Sequence, residues 1–327
     1  MHPVPPSFVR VALMAASVAV LAGCQPTAPP PPAPKPAADT YAMADFARVP
    51  KFDAHVHANV EDRAFLDQAR ADGFELLSIN VDYPDFPPIE RQHAVALLLA
   101  KSEPARFHWA ATFSMRGYGK PGWEPRTEAA MVAALAEGAR AVKLWKNIGM
   151  VERGADGRLI MLDDPGLAPL AEHLRAAGVP LIAHQGEPHN CWLPLEQMTT
   201  DNDREYFRKH PQSHQHLHPA LPGRATLRAA RARPESADPQ LAFVGAHMAS
   251  LEYDVDRLGA FLDRFPQATV DLAARMGQVQ YQSLRDRERV RNFFIRYQDR
   301  LLYGTDLTQN PDSDPAQFRA EAHAYWQ

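Results

Sequence analysis

The sequence predicts an α/β fold, a (β/α)8 barrel of the TIM type, on three observations. Eight short β-prone runs alternate with amphipathic helical stretches, the pattern of successive parallel βαβ units. The body that carries them spans residues 41–327, close to the roughly 250 residues of one such barrel. His and Asp residues also fall at the ends of runs one, five, six and eight, where barrel enzymes carry their chemistry. An open, doubly wound sheet is the competing architecture. Its cue is Gly117-Tyr118-Gly119-Lys120-Pro121-Gly122, which fits G-x-G-x-x-G after a strand. Trp123-Glu124-Pro125 follows, so no phosphate-binding helix is expected to open at Gly122, and an ordinary βα loop is expected there.

In chain order, residues 1–10 carry one Arg and no acid, and an apolar run from Val11 to Gly23 ends in Leu21-Ala22-Gly23-Cys24. That run is shorter than the about 20 apolar residues of a spanning helix, so a cleaved export signal over 1–23 is expected. Residues 24–40 are dominated by Pro and Ala. With nothing to bury they favour extended polyproline conformations and form a semi-rigid tether. In the body the expected strands are Lys51–Ala58, Leu76–Val81, His108–Phe113, Ala139–Trp145, Pro180–His184, Leu241–His247, Ala268–Leu272 and Arg300–Tyr303. The expected helices are Ala64–Ala71, Pro88–Ala100, Glu128–Glu137, Leu167–Ala177, Val255–Phe265, Leu284–Tyr297 and Pro315–Trp326. A net charge of −4 without a basic stripe argues against a nucleic-acid partner. Of the two Cys, an acylated Cys24 would leave Cys191 alone, so no internal disulfide is expected.

The first strand reads Phe52-Asp53-Ala54-His55-Val56-His57. Side chains alternate along a strand, so Asp53, His55 and His57 are expected on one face, and two His at i, i+2 can chelate one ion. His184 ends the fifth run, His247 ends the sixth, and Asp306 lies just past the eighth. Imidazoles with a carboxylate suit Zn, Mn or Fe. On the fourth run Ala141, Lys143 and Trp145 share a face and Lys146 takes the other. Arg275, past the seventh run, is placed for a substrate carboxylate or for a salt bridge in the rim. The long connection from Glu187 to Gly223 holds Cys191, Trp192, Tyr206, Phe207 and the cluster His210, His214, His216 and His218. Connections of this length are often lids or binding loops. Its His residues have no acidic partner among them, so a solvated loop with one or two substrate-facing residues is expected rather than a second metal site.

Two resemblances add to this. Leu21-Ala22-Gly23-Cys24 resembles the bacterial lipobox, which implies cleavage before Cys24 and acylation of its thiol and new amine. The protein would then be exported and lipid-anchored, with Gln25 favouring the outer membrane on its periplasmic side. The Asp-x-His-x-His of strand one, His184, His247 and Asp306 resemble the amidohydrolase superfamily, in particular its amidohydrolase-2 branch. That branch includes metal-dependent hydrolases and non-oxidative decarboxylases. Val142-Lys143-Leu144-Trp145-Lys146-Asn147-Ile148-Gly149, His184-Gln185-Gly186-Glu187-Pro188 and Leu302-Tyr303-Gly304-Thr305-Asp306 carry the likeness, which runs from about Phe46 to the end. It implies His55, His57 and Asp306 as metal ligands, His184 as a ligand or close neighbour, and His247 beside the reacting water or substrate. In binuclear relatives a carboxylated Lys at a position like Lys143 bridges two metals. In this branch one metal is usual and the Lys stays an amine facing substrate charge, so one divalent ion is expected, Zn first and Mn or Fe next. Relatives continue through further helices, so the chain is expected to be shortened at its C-terminus, which puts barrel closure at issue.

The leading function is hydrolysis of an amide, ester or lactone by a metal-activated water, whose pKa falls from about 15.7 to about 7. Asp306 would carry the proton to the leaving group, and His247 would hydrogen-bond the oxyanion. Asp53 would orient the first-strand ligands from behind, and Glu187 would serve either that role or the substrate. The alternatives are metal-dependent decarboxylation on the same scaffold and a non-catalytic, ligand-binding lipoprotein. A small-molecule substrate is expected, with the membrane met only through the lipid anchor, and a homodimer is compatible with the sequence.

Overall fold

The computed structural model describes residues 41–184, 186–227 and 241–327. The expected signal segment, most of the tether with Cys24, and Gln185 lie outside these residues. Residues up to Phe46 form a separate unit, in which Met43–Asp45 make one 3-10 turn. The second unit begins at Ala47 and holds the barrel.

Its strands are β1 (Lys51–Ala58), β2 (Phe74–Ile79), β3 (Phe107–Thr112), β4 (Ala141–Leu144), β5 (Leu181–Ala183), β6 (Phe243–Gly245), β7 (Ala268–Asp271), β8 (Leu301–Leu302) and β9 (Thr308–Gln309). They lie in the order β8-β7-β6-β5-β4-β3-β2-β1-β9, every pair parallel. β8 and β9 are two halves of one broken strand that joins β7 to β1. Across the break the Ala54 N–H donates to the Tyr303 carbonyl at 2.9 Å, the Asp306 N–H to His55 at 2.8 Å, and the His57 N–H to Leu307 at 2.8 Å. The cylinder therefore closes within this chain, which answers the question raised by its C-terminus.

Helices cover the strands: α1 (Ala64–Asp72), α2 (Ile89–Ser102), α3 (Trp123–Ala136), α4 (Ala168–Ala177), α5 (Asp201–Lys209), α6 (Val255–Arg264), α7 (Met276–Ser283), α8 (Arg287–Tyr297) and α9 (Pro315–Trp326). Two of the expected helices begin elsewhere, and α5 and α7 add to those expected. A helix does open at Gly122: this residue, at φ +86, is the N-cap of α3. Pro125 falls in the first turn, where its missing N–H removes no intrahelical bond. The region expected to be one helix over Leu284–Tyr297 begins as a turn, because Asp286 accepts from the Arg289 N–H at 2.9 Å and caps a new helix, α8. At the chain's end α9 is capped by Asp314 with Pro315 in its first turn. It packs on α1 through Phe318 and Phe65, ring centroids 4.8 Å apart. Trp326 stacks on Phe74 at 4.6 Å and 14°.

Candidate metal centre

β1 delivers His55 and His57, and the break between β8 and β9 delivers Asp306. One ligand atom from each lies within 4.8 Å of the others. His57 Nε2 is 3.2 Å and His55 Nε2 3.5 Å from Asp306 Oδ1. The other ring nitrogens decide the chemistry. His57 Nδ1 lies 2.7 Å from the Ile79 carbonyl, which only accepts, so that nitrogen carries the proton. His55 Nδ1 lies 2.8 Å from Asp271 Oδ2, again an acceptor. In the neutral tautomers both Nε2 lone pairs then face a carboxylate with no proton between. Burial pushes the His55 imidazolium down, the largest influence on it. Burial also opposes the charge of Asp306; protonated, the His247, His57 and His55 rings outweigh it and hold the carboxyl well below the usual range, whereas in the neutral tautomers that charge faces two lone pairs. Two lone pairs and an anion converging on one point fit a divalent cation.

His247 lies beside this group, its ring 4.7 Å from that of His55. Its backbone N–H donates to Asp271 Oδ1 at 2.7 Å, and its Nδ1 donates to the Ala273 carbonyl at 2.9 Å. Burial pushes its pKa down to about 3. His184 packs on His247 at 4.2 Å. It falls outside the compact His55–His57–Asp306 group, and its buried Nε2 has no hydrogen-bond partner.

His247 is held by an unusual backbone: His247, Met248, Ala249 and Ser250 all have φ between 52 and 56°. A left-handed turn costs L-residues roughly 1–2 kcal/mol each, and such strain persists only where packing enforces it. Gly245 permits it, since a Cβ there would stand 2.6 Å from that of Ala249. Gly245→Ala is accordingly expected to cost about 1–3 kcal/mol through overpacking, read as a lower midpoint in urea unfolding.

Asp53 is 0 % exposed and accepts from the His55 backbone N–H at 3.2 Å. The register of β1 against β2 shifts between Asp53 and Val56. Asp53 also accepts from Thr305 Oγ1 at 2.7 Å, the Thr305 N–H at 3.1 Å and Trp326 Nε1 at 3.1 Å, so it ties β1 to the seam and to α9. The residue that grips the His55 ring is Asp271, at the end of β7. Sequence reasoning missed it, although the strand-end rule that selected His184 and His247 applies to it equally. Burial opposes its charge, yet pairing with His55 holds its pKa at about 2. Asp271→Asn is expected to weaken metal affinity about 10–100-fold, measured by competition against a chromophoric chelator.

Above this rim lies a cavity of about 300 Å3 whose lining includes Tyr83, Phe86, Trp145 and Tyr206. Lys143 lines it at 1 % exposure with no hydrogen-bond partner for Nζ, and burial draws its pKa down to about 8. Arg275 lines it at 7 % exposure; its Nη1 donates to the Ala274 carbonyl at 2.9 Å and its Nε has no partner. Lys146 also reaches the cavity, contrary to strand parity, because β4 ends at Leu144 and Lys146 has helical dihedrals. There it forms an ion pair with Glu187, which assigns Glu187 a partner in the cavity wall.

The long insertion is more ordered than a solvated loop. Cys191, Met198 and Phe207 form a small core of their own, and α5 brings Asp203, Tyr206 and Phe207 to the cavity. Asp203 Oδ2 accepts from Asn190 Nδ2 at 2.7 Å, Thr200 Oγ1 at 3.0 Å and Gln278 Nε2 at 2.7 Å, pinning the insertion to α7. His210, His214 and His218 bond to backbone carbonyls. Among the described residues no metal-ligand group includes a His of the insertion.

The family model described as Amidohydrolase matches residues 25–324. No curated protein matches the chain. Among solved structures, an uncharacterised TIM-barrel protein of Bordetella bronchiseptica is similar at 16 % identity and a TM-score of 0.49, covering 84 % of this chain and 90 % of its own. 2,6-Dihydroxybenzoate decarboxylase from Rhizobium shows 15 % identity, a TM-score of 0.47 and coverage of 83 % and 90 %. D-Hydantoinase from Thermus sp. shows 13 %, 0.47, and coverage of 84 % and 61 %. With a family model spanning most of its length, the chain belongs to the amidohydrolase family and is a metal-dependent enzyme on an α/β barrel.

Proposed function

We propose that this enzyme hydrolyses an amide, ester or lactone bond in a small, carboxylate-bearing molecule, with one divalent ion, Zn first, held by His55, His57 and Asp306. The observation that carries this is the pair of Nε2 lone pairs directed at Asp306 Oδ1, each fixed by a Nδ1 proton already committed. Such a cation supplies a Lewis acid that acidifies water and polarises a carbonyl. Asp306 Oδ2 takes no hydrogen bond from the described residues and is the oxygen free to receive a proton and return it to the leaving group. His247 acts differently from the oxyanion donor expected: with Nδ1 donating to Ala273, its Nε2 offers a lone pair and orients a donor. Lys143 and Arg275 hold the substrate carboxylate, because each lines the cavity with a buried N–H donor that has no acceptor.

Residues 1–24 support export with a lipid anchor at Cys24 as part of this proposal. No described helix is long and apolar enough to cross a membrane. The test is a product analysis in 18O-labelled water on a panel of acyl substrates and carboxylic acids. Label entering the acid product supports hydrolysis. Carbon dioxide release with no label in the organic product identifies decarboxylation and rejects it.

A further inference from the structure

In the wall of the same cavity, Asp203 is a carboxylate that the mechanism above does not use. It is 5 % exposed and lines the cavity. All three of its bonds, from Asn190, Thr200 and Gln278, end on Oδ2. Every donor is neutral and no cation of the described residues pairs with it, so the three donors fix the group in one orientation without neutralising it. Oδ1 receives no hydrogen bond from the described residues and is open to the cavity, where a ligand donor can take the place of water. Lys143 Nζ and Arg275 Nε are unpaired donors lining the same cavity, so it offers a ligand both donors and an oriented acceptor. An aromatic wall, with Tyr83 and Trp145 in ring contact at 4.7 Å, stands with them.

We propose, resting on the function inferred above, that Asp203 is a specificity residue and that the substrate class is a carboxylate carrying an N–H donor and an apolar group, an N-acyl amino acid being the simplest case. The carboxylate meets Lys143 and Arg275, the N–H donates to Asp203 Oδ1, and the apolar side chain lies on the aromatic wall. Asp203→Asn tests this with a sign. The Asn carbonyl oxygen must take the place of Oδ2, because three donors point at it, and this turns the amide NH2 toward the ligand. The variant keeps its anchors and changes the recognising atom from acceptor to donor.

The experiment uses the full chain loaded with Zn2+ and three probes: N-acetyl-L-phenylalanine, its N-methyl analogue, and N-acetyl-L-phenylalanine amide. Kd is read by calorimetry, or KM where the bond is cleaved. The wild type is expected to prefer the N–H acid over the N-methyl acid at least tenfold, and Asp203→Asn to bring that ratio to one or invert it. Equal affinity for the two acids in the wild type, or the same ratio in both proteins, overturns the role of Asp203 and leaves the anion-binding cavity standing. If the amide probe binds as well as the acid, the anion-binding premise fails and the inference with it. Should Asp203→Asn not fold, the wild-type ratio decides alone, and a value near one overturns the proposal.

Discussion

Asp306→Asn is expected to lower turnover by about 10²–10⁴-fold, the range for loss of a positioned proton carrier, while metal stays bound. The amide keeps a neutral oxygen to face the His55 and His57 nitrogens, so ligation weakens less than proton transfer. What disappears is the carboxylate charge that receives the proton. The check pairs metal content by elemental analysis with kcat on the best substrate of the panel. Turnover near the wild-type value removes Asp306 from proton transfer. Loss of metal in step with loss of activity assigns it to ligation alone.

Trp326→Ala is expected to destabilise the protein by about 3–5 kcal/mol, the range for truncating a large buried aromatic. Trp326 is 3 % exposed, stacks on Phe74 and Phe65, and donates to Asp53 Oδ2. Removing it opens a void under β2 and takes one donor from a fully buried carboxylate. Trp326→Phe retains most of the packing without the indole N–H, so its loss relative to the wild type isolates the Asp53 hydrogen bond, about 1.5–3 kcal/mol for a charged acceptor, and the further loss in Trp326→Ala reads the packing. Urea unfolding followed by circular dichroism measures both. A loss below about 1 kcal/mol in Trp326→Ala would show that α9 contributes little to holding the barrel.

Where hydrophobic period and capping residues agree, the fold was legible in the sequence. β1 occupies Lys51–Ala58 and α9 occupies Pro315–Trp326, as expected, the first from an unbroken buried run and the second from an Asp-Pro start. Legibility failed where backbone detail overrides the pattern. A first-turn Pro hid the start of α3, and an Asp cap divided the region after Ser283. In the site, His55, His57 and Asp306 were readable because each sits at a strand end, and the structure brings them together. The bonds of Asp53 to Thr305 and Trp326 were not readable, because both partners come from the far end of the chain. Lys146 was misplaced because parity holds only while the strand lasts. Asp203 carries no motif at all; its importance comes from donors 3, 13 and 75 residues away, a convergence only folding creates.

The broken eighth strand couples cofactor and architecture. Asp306 occupies the gap between its halves, at φ 69°, with its own N–H bonded to His55, and some 250 residues of chain lie between those partners. Joining the ends of so long a loop carries a large entropic cost, so this junction is the contact most easily undone when the protein breathes. A cation bridging His55, His57 and Asp306 spans that junction like a rivet, and its binding free energy resists opening there by mass action. Chelation should therefore unzip the molecule first between its opening and closing strands, with amides of residues 53–58 and 303–309 exchanging with solvent sooner than those of β3 to β5.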